Sequence, residues 1–472
     1  MIKGPWLWAI ANNFSQEYRN FKSFIHKYVR LSPEQAKKES QKQLYKYLVY
    51  CRTYSPYWRD RWPKTAQCFR TEEAEDVLAL LPPLNKADLR QYRHQLRIDP
   101  QSRRPDDEYP AIRKQHTLAS GGSTGVPVEI AVDATYSDRN RATYDFLYQL
   151  CGLSPGNPFF FIWGSPNELT DIKQNRKKQI STWLRGMYPL PAFGLSPEKI
   201  HRMRDQMADL AHINSAMCFA SAAETIVKFA EHEKLNFRKL ERVFTGGGLL
   251  HDQLRELLHK HLATEVFNTY ASRDFGMLAH ETPVHDGLSV AAWFNKLEVL
   301  NKDGVHVAPG EKGEVHVTAI NNYSCALIRV AMGDTARWYP DPGQNSIPTP
   351  RLTELTGRTV EHLVGPNGVV IDPSAIIHLV GVVIAPSWLR KFQLVQRSLL
   401  QYELRVEAWE QPVPEFQLNA LQTRLCRELD NLLKAQVNVN VVMMDTIPPL
   451  PSGKHQYCLR EFDTDLQGNL IL

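Results

Sequence analysis

Apolar positions follow two different periods along the chain. In residues 33–62, Leu44, Leu48 and Cys51 recur at the spacing of a helix. From about residue 158, short apolar runs such as "FFFIW", "LERVF" and "EVFNTY" alternate with the helical patterns "AAETIVKFAEHEKL" and "HDQLRELLHKHL". Buried strands that alternate with helices predict a mostly parallel α/β sheet, with ligands bound at the carboxyl ends of its strands.

The pattern changes after Leu288. "EKGEVHVTAI" alternates apolar and polar residues, which predicts an antiparallel or barrel-like element. Beyond Gly357, two alternating runs, a helical run and a third alternating run predict a small β-β-α-β domain. The helical run places a stripe of leucines on one face, at positions Leu418, Leu421, Leu425, Leu429 and Leu432.

The predicted fold class is therefore α/β, in two parts. A large N-terminal domain, residues 1–356, combines mostly parallel sheets with helices and a β-barrel-like portion. A short hinge, residues 357–361, leads to a small α+β domain over residues 362–472. The earlier segment "LPPLNKADLR" is predicted to be a loop that enters a capped helix.

Composition narrows the class of protein. The chain has 472 residues, of which 43% are hydrophobic and 23% charged, with a net charge of +5. These values are typical of globular proteins, and the mixed charges do not form the basic stripe of a nucleic-acid-binding protein. The seven cysteines are dispersed without a C-x-x-C pair, which predicts free thiols and a cytoplasmic location. No apolar run approaches the length of a membrane span.

The segment "SGGSTG", Ser120–Gly125, carries the first candidate chemistry. Glycines allow backbone N–H groups to turn inward around an anion, and hydroxyl groups add donors and can ligate Mg²⁺. The segment lacks the lysine of a Walker A loop. On these residues alone, a flexible surface loop is an equally good interpretation.

Four shorter motifs follow in order. "YASRDFG", from Tyr270, places an aromatic ring and Asp274 after a strand. "GD" places Asp334 on a turn, "GR" places Arg358 at the change of pattern, and "PSGK" projects Lys454. Each motif has an ordinary structural interpretation when taken by itself: a strand-end turn, a Gly-Asp turn, an interdomain contact and a surface lysine. Two histidine clusters, "HETPVH" and "HDQLRELLHKH", do not have metal-site spacing and are predicted to be surface histidines.

The order of these motifs resembles the adenylate-forming superfamily of acyl-CoA synthetases, adenylation domains and luciferases. "SGGSTGVP", "TGGGLL", "YASRDFGMLAHE", "LIRVAMGD" and "LPPLNKADLR" are most similar to the phenylacetate–coenzyme A ligase-like branch, which includes capsule-biosynthesis adenylating proteins. The similarity extends from about Leu44 to Leu459. It implies a large domain and a small domain that swings. It also implies a reaction in which a carboxylate attacks the α-phosphate of ATP to give acyl-AMP and pyrophosphate, followed by transfer to a thiol such as coenzyme A.

The resemblance implies roles for individual residues. Lys454, Thr124 and Asp274 would be catalytic, and Thr124 and Asp274 would hold Mg²⁺. The ATP site would comprise Ser120, Gly121, Gly122, Ser123, Thr124, Gly125, Gly246, Gly247, Gly248, Tyr270, Ala271, Ser272, Asp334, Arg358 and Lys454. The acid would bind near Trp163, Phe219, Ala220, Ser221, Gly246 and Phe267.

Several positions depart from the family pattern. Asp274 stands where a glutamate is usual, and Ala271 replaces a glycine. Thr282 and Ser289 stand at about the places where some relatives carry possible zinc ligands, so no zinc is predicted. The predicted small molecules are ATP, Mg²⁺, a carboxylic acid and coenzyme A or a pantetheine, and the chain is predicted to be a monomer or homodimer without nucleic acid.

These departures keep other functions open. The acyl group could pass from acyl-AMP to an acyl carrier protein or an amine, and the adenylating protein could instead attach it to one of its own cysteines. A different class of protein also remains: a nucleotide-binding protein that has lost catalysis. The small and aromatic residues expected around the acid favour an aryl or other apolar carboxylate.

Overall fold

The computed structural model describes most of the chain, and it divides into two compact units. The larger contains the described residues up to Leu250, then Leu257–Met332 and Ala336–Glu354; the smaller contains His251–Glu256, Gly333–Thr335 and the described residues from Leu355 onward. The structure describes residues 15–104, 108–120, 128–163, 172, 174–192, 195–340, 347–356, 363–366, 370–371, 373–384, 386–448 and 455–462.

Helices begin where the sequence supplies caps. The second one, Pro33–Tyr54, starts at a reciprocal capping box between Ser32 and Gln35, with proline in its first turn. The α-helices are α1 (Gln16–Tyr28), α2 (Pro33–Tyr54), α3 (Pro56–Arg61), α4 (Ala74–Leu80), α5 (Lys86–Gln91), α6 (Arg93–Leu96), α7 (Ala134–Leu150), α8 (Arg176–Leu184), α9 (Pro197–Asp209), α10 (Ala220–His232), α11 (Asp252–His261), α12 (Pro373–His378) and α13 (Glu415–Leu433).

The predicted elements of the first half are present. Leu44, Leu48 and Cys51 are buried along α2. The side chain of Asn85 caps α5 through the N–H groups of Ala87 and Asp88, so "LPPLNKADLR" does enter a capped helix. The strands are β1 (His116–Ser120), β2 (Val128–Val132), β3 (Phe159–Ile162), β4 (Met187–Leu190), β5 (Ser215–Phe219), β6 (Leu240–Gly246), β7 (Ala263–Ser272), β8 (Gly276–Glu281), β9 (Leu288–Val290), β10 (Lys296–Leu300), β11 (Lys312–Thr318), β12 (Val330–Trp338), β13 (Arg351–Thr356), β14 (Leu363–Val364), β15 (Val370–Ile371), β16 (Leu389–Gln396), β17 (Gln401–Ala408), β18 (Asn438–Met443) and β19 (Cys458–Arg460).

One large sheet has the order β10-β11-β12-β13-β9-β8-β7-β6-β5-β3-β4. The pairs β4–β3, β3–β5, β5–β6 and β6–β7 are parallel, as the strand–helix alternation predicts. The pairs β7–β8, β8–β9, β9–β13 and β10–β11 are antiparallel. The alternating segment after Leu288 is therefore antiparallel as predicted, and it continues the same sheet as the parallel strands.

The smaller unit contains the predicted β-β-α-β pattern in a sheet of order β18-β17-β16-β19. Strands β16 and β17 pair antiparallel, while β18 and β19 each pair parallel to their neighbours. Helix α13 buries Leu421, Leu425, Leu429 and Leu433, each contributing roughly 1.5–3 kcal/mol of burial free energy. The predicted stripe was wrong at its last position, because Leu433 is buried and Leu432 is 40% exposed.

Among the described residues, no helix is both long enough and apolar enough to cross a membrane.

Candidate functional site

Aromatic rings gather at the carboxyl ends of the parallel strands. Trp163 directly follows β3, and its ring stacks on that of Phe219 at the end of β5, with centroids 4.1 Å apart and an interplanar angle of 22°. Phe219 pairs with Gly246 of β6, and Gly246 pairs with Thr269 of β7. These registers align the ends of β5, β6 and β7, so the rings lie where a parallel sheet binds ligands.

The glycines after β6 allow close packing at this edge. A Cβ placed on Gly246 would lie 3.1 Å from the Trp163 ring and 3.2 Å from the Thr269 carbonyl oxygen, and one on Gly248 would lie 3.2 Å from Ala220 Cβ. Gly247 has φ +70°, in the left-handed region that favours glycine. The turn therefore follows the surface of Trp163 and the first turn of α10, where Ser221 also lies.

The turn between β7 and β8 forms hydrogen bonds with two asparagine side chains. Asn295 Nδ2 donates to the carbonyl oxygens of Phe275 and Met277, at 2.9 and 3.0 Å. Asn140, on α7, accepts from the Met277 N–H at 3.2 Å. Each of these hydrogen bonds joins an asparagine side chain to a backbone group at the turn. The two asparagines therefore fix the path of the main chain between β7 and β8.

Tyr270 and Asp274 take distinct positions, because Tyr270 belongs to strand β7 and Asp274 lies in the turn that follows it. The Tyr270 side chain is 8% exposed at the end of β7, while Asp274 is half-buried. The Tyr136 hydroxyl donates to the Asp274 carbonyl oxygen at 3.4 Å, and the Ser272 hydroxyl accepts from the Phe275 N–H at 3.0 Å. The predicted strand-end turn is therefore present and contains Asp274, whereas Tyr270 belongs to the strand before it; the role of each remains a prediction.

Helix α1 braces the helix that supports this turn. The Tyr18 hydroxyl donates to Asp145 at 2.6 Å, and Arg139 pairs with Glu17 at 2.6 Å. Ser15 also donates to Asp138 of α7. Residues 15–28 lie outside the family resemblance, yet they anchor α7 and, through it, Asn140.

Gly276 is the position at which this turn is most sensitive to substitution. Its φ is +63°, and a Cβ would overlap the Asn140 side-chain amide. We expect Gly276→Ala to lower the free energy of unfolding by roughly 1–3 kcal/mol, through backbone strain and displacement of Asn140. Urea denaturation measures the loss.

The matched control is Gly310→Ala, because Gly310 has φ +84° with no atom within 4 Å of an added Cβ. Gly276→Ala should be the more destabilising of the two. Equal losses would mean that the left-handed conformation alone, and not Asn140, determines the effect.

A buried imidazole lies beside the aromatic cluster. His280 pairs with Thr269 across β7 and β8 and is 0% exposed, between the rings of Tyr148, Phe244 and Phe267. Burial lowers the pKa of His280 to about 4, so the ring is neutral near pH 7. The prediction of surface histidines was wrong for His280, because β8 lies inside the large sheet and all six of its residues are buried.

The predicted acid-binding residue Phe267 lies deeper in the sheet than Trp163 and Phe219. It is 2% exposed and belongs to a buried cluster with Cys151, Leu153 and Phe244. Its ring stacks on Phe244 with centroids 5.4 Å apart. It therefore supports the strands beneath the candidate site, and contact with a ligand remains a prediction.

The described residues include only part of the predicted ATP site. Ser120 ends β1, but Gly121, Gly122, Ser123, Thr124 and Gly125 lie outside the described residues, as do Arg358 and Lys454. The predicted turn at Asp334 was wrong, because Asp334 lies within strand β12, directly after Gly333, which has φ +74°. Among the described residues, no group of three or more His, Cys, Asp or Glu side chains is arranged to hold a metal ion.

The cysteines are all thiols, and most are chemically inert. Burial raises the pKa of Cys151, Cys218 and Cys325 to about 12. Such groups remain protonated near neutral pH and are poor nucleophiles. Cys68 is exposed and Cys426 is half-buried, so only these two have the access that an acylated thiol would need.

No family model and no curated protein matches this sequence. The fold does match solved structures. 2-Hydroxyisobutyryl-CoA ligase in the postadenylation state, in complex with 2-HIB-AMP, has a TM-score of 0.67 at 17% identity, over 91% of this chain and 90% of that one. The open conformation of the same ligase, with 2-HIB-AMP and CoA, gives 0.54 at 18% identity, over 89% and 91%. The chain has the fold of adenylate-forming enzymes. The anthranilate CoA ligase AuaEII, in complex with anthranoyl-AMP, gives 0.50 at 13% identity, over 72% and 66%.

Proposed function

We propose that this protein is an adenylate-forming ligase, which converts an organic carboxylic acid and ATP into acyl-AMP and pyrophosphate and then transfers the acyl group to a thiol such as coenzyme A. The observation that carries the proposal is the alignment of Trp163, Phe219, the Gly246–Gly248 turn and Tyr270 at one edge of the sheet. The fold shared with ligases solved with acyl-AMP supports the same activity. The motifs favour the phenylacetate–coenzyme A ligase-like branch.

The physical difficulty of the reaction is the meeting of two anions. A carboxylate must approach the α-phosphate of ATP against charge repulsion, so catalysis depends on positioning and on cationic and N–H groups near the phosphates. In this proposal, the Ser120–Gly125 loop holds the β- and γ-phosphates, and Lys454 bridges the α-phosphate and the carboxylate. Mg²⁺, held by Thr124 and Asp274, would neutralise part of the phosphate charge.

The nucleoside would be held by residues from several strands. Tyr270 and the Gly246–Gly248 turn would enclose adenine, since a tyrosine ring and a glycine backbone without side chains both offer flat surfaces. Ala271 and Ser272 continue that edge. Asp334 would accept hydrogen bonds from the ribose hydroxyls, with support from Arg358.

The domain arrangement in this proposal follows from the two half-reactions. The hinge at residues 357–361 would allow the domain over residues 362–472 to bring Lys454 to the ATP and then withdraw it. Coenzyme A is the proposed acceptor in the second half-reaction, and a carrier-protein pantetheine would be chemically equivalent at the reacting sulfur.

The decisive experiment is a screen of carboxylic acids for pyrophosphate release from ATP, run with and without coenzyme A. Acid-dependent release, together with an acyl-AMP detected by mass spectrometry, is the expected result. Formation of a thioester only when coenzyme A is present would identify the acceptor. ATP binding without release across a broad panel would instead favour a nucleotide-binding protein that has lost catalysis.

The acid would bind against the stacked pair of Trp163 and Phe219, next to Ala220, Ser221 and Gly246. We expect Trp163→Ala to raise KM for the best acid about 10- to 100-fold, because the acid loses an aromatic contact surface. KM for ATP should change much less, since the ring lies on the β3–β5 side of the glycine turn.

The comparison variant is Trp183→Ala, because Trp183 is 41% exposed on α8. It should leave both KM values unchanged. Equal effects of Trp163→Ala on the KM values for acid and ATP would contradict the placement of the acid against this ring.

A further inference from the structure

Of the two nitrogens in the buried ring of His280, one forms a hydrogen bond and the other does not form one with any described residue. Nδ1 faces the backbone carbonyl oxygen of Glu281 and lies 3.9 Å from Cys151 Sγ. Because a carbonyl can only accept, Nδ1 carries the proton and Nε2 is left with a lone pair. Nε2 is buried and has no hydrogen-bond partner among the described residues.

An unsatisfied acceptor in this environment requires an explanation, since buried polar atoms in native proteins nearly always have a partner. The rings of Tyr148, Phe244 and Phe267 surround the imidazole, edge-on, tilted and stacked respectively, with centroids 5.3, 5.8 and 6.4 Å away. The lowered pKa of His280 keeps Nε2 unprotonated near pH 7. The group is therefore suited to accept a hydrogen bond from a neutral donor.

The position of His280 in the sheet links it to the candidate site. His280 pairs with Thr269, Thr269 with Gly246, and Gly246 with Phe219. Side chains of directly paired residues project to the same face, and neighbouring strands lie about 4.8 Å apart. His280 is thus in the same row as the proposed acid-binding residues, about two strand spacings from Gly246.

We propose that His280 is a specificity residue, whose Nε2 accepts a hydrogen bond from a hydroxyl group on the acyl part of the substrate. The inference rests on the proposed function and names its substrate class: hydroxy-substituted carboxylic acids. In this proposal the stacked rings of Trp163 and Phe219 contact the carbon skeleton, and Nε2 of His280 accepts the hydrogen bond from the hydroxyl. An acid without that hydroxyl leaves Nε2 unsatisfied in the complex.

The size of the preference follows from the cost of an unsatisfied buried acceptor. A hydroxylated acid whose hydroxyl lies at the distance from the carboxylate that reaches Nε2 should exceed its deoxy analogue in kcat/KM by roughly 10- to 100-fold. The pairs to compare are 2-hydroxyisobutyrate with isobutyrate, the three hydroxybenzoates with benzoate, and the hydroxyphenylacetates with phenylacetate. Pyrophosphate release from ATP gives the rates.

Two substitutions separate the two ring nitrogens. His280→Gln places an amide oxygen near the position of Nε2, whereas His280→Asn is too short to reach it and retains a polar group only near Nδ1. The preference for the hydroxylated acid should persist in H280Q and fall to within about threefold of unity in H280N. Cys151→Ala, which removes the sulfur atom near Nδ1 and leaves the imidazole in place, should keep the preference. Thermal melts establish that each variant is folded.

The outcomes are distinct. A preference in the wild type that H280N removes and H280Q keeps supports the inference. Equal rates within every pair in the wild type, or a preference that H280N leaves unchanged, overturn it while the proposed ligase activity stands, and a buried water would then be the partner of Nε2. Absence of pyrophosphate release with any acid would overturn the proposed function, and this inference with it.

Discussion

Lys454→Ala is expected to reduce acid-dependent exchange of labelled pyrophosphate into ATP by about 100- to 1000-fold. This is the usual effect of removing one group that stabilises charge developing in a transition state. The attacking carboxylate and the α-phosphate are both anionic, and a compact ammonium group is suited to bridge them and leave again. ATP binding, measured by calorimetry, should change much less, because the loop over residues 120–125 and Tyr270 remain.

Lys434→Asn is the matched control for this prediction. Lys434 is an exposed lysine of the same domain, at the C-terminus of α13, with φ +50°, and asparagine tolerates that conformation. This variant should retain full exchange. Undiminished exchange in Lys454→Ala would remove Lys454 from the mechanism, and equal losses in both variants would indicate a general effect of charge or stability.

The sequence predicted the fold correctly in segments where the apolar residues follow a single spacing, either that of a helix or that of a strand. The alternation of apolar strands and amphipathic helices predicted β3, β6 and β7 in a mostly parallel sheet, and the tail predicted β16, β17, α13 and β18. Strand β5, which lies between β3 and β6, was not predicted. Strand β19 was not predicted, because three residues after a proline-rich segment carry too little pattern. Strand order beyond β7 also depends on contacts between distant segments, which a single sequence does not specify.

The candidate site was predicted in its parts but not in its supports. Gly246 and Tyr270 were identified from motifs, and Trp163 and Phe219 as acid-binding residues implied by the family resemblance. The structure brings them to one edge of the sheet. Asn140 was missed, because an asparagine within a helix has no periodic signal. Its importance depends on Gly276, a residue 136 positions later whose Cβ would occupy the same space.

His280 shows a second limit of sequence patterns. In the strand "GMLAHE", the geometry of a strand tells which residues share a face, but the sequence does not reveal how completely each face is covered. Helix α7 and the preceding strand cover it with Tyr148, Cys151 and Phe267, so a residue that is usually half-exposed becomes fully buried. At low pH, a buried histidine either stays neutral or, once protonated, lowers the free energy of unfolding of the protein.

The direction of that pH effect follows from the two protonation states. Burial lowers the pKa of His280 from 6.5 in the unfolded chain to about 4 in the folded protein. Between these values the unfolded state binds a proton that the folded state does not, so the free energy of unfolding decreases as the pH falls from about 6.5 to about 4. Among the groups around the ring, the Cys151 thiol does not offset the effect, since burial and the nearby Glu281 raise the pKa of Cys151 to about 12.

We therefore expect the wild type to lose about 2 kcal/mol more of its free energy of unfolding than His280→Gln between pH 7 and pH 4.5, at roughly 1.4 kcal/mol per pKa unit. Urea denaturation of both proteins at several pH values measures the difference, and acid effects of all other groups cancel between them because only one titrating side chain differs. Parallel profiles would contradict the prediction, since they would require a His280 that is protonated equally in the folded and unfolded chains. A steeper loss in the variant would require a charged, stabilised imidazole, which is incompatible with an aromatic enclosure that offers no counter-charge at Nε2 among the described residues.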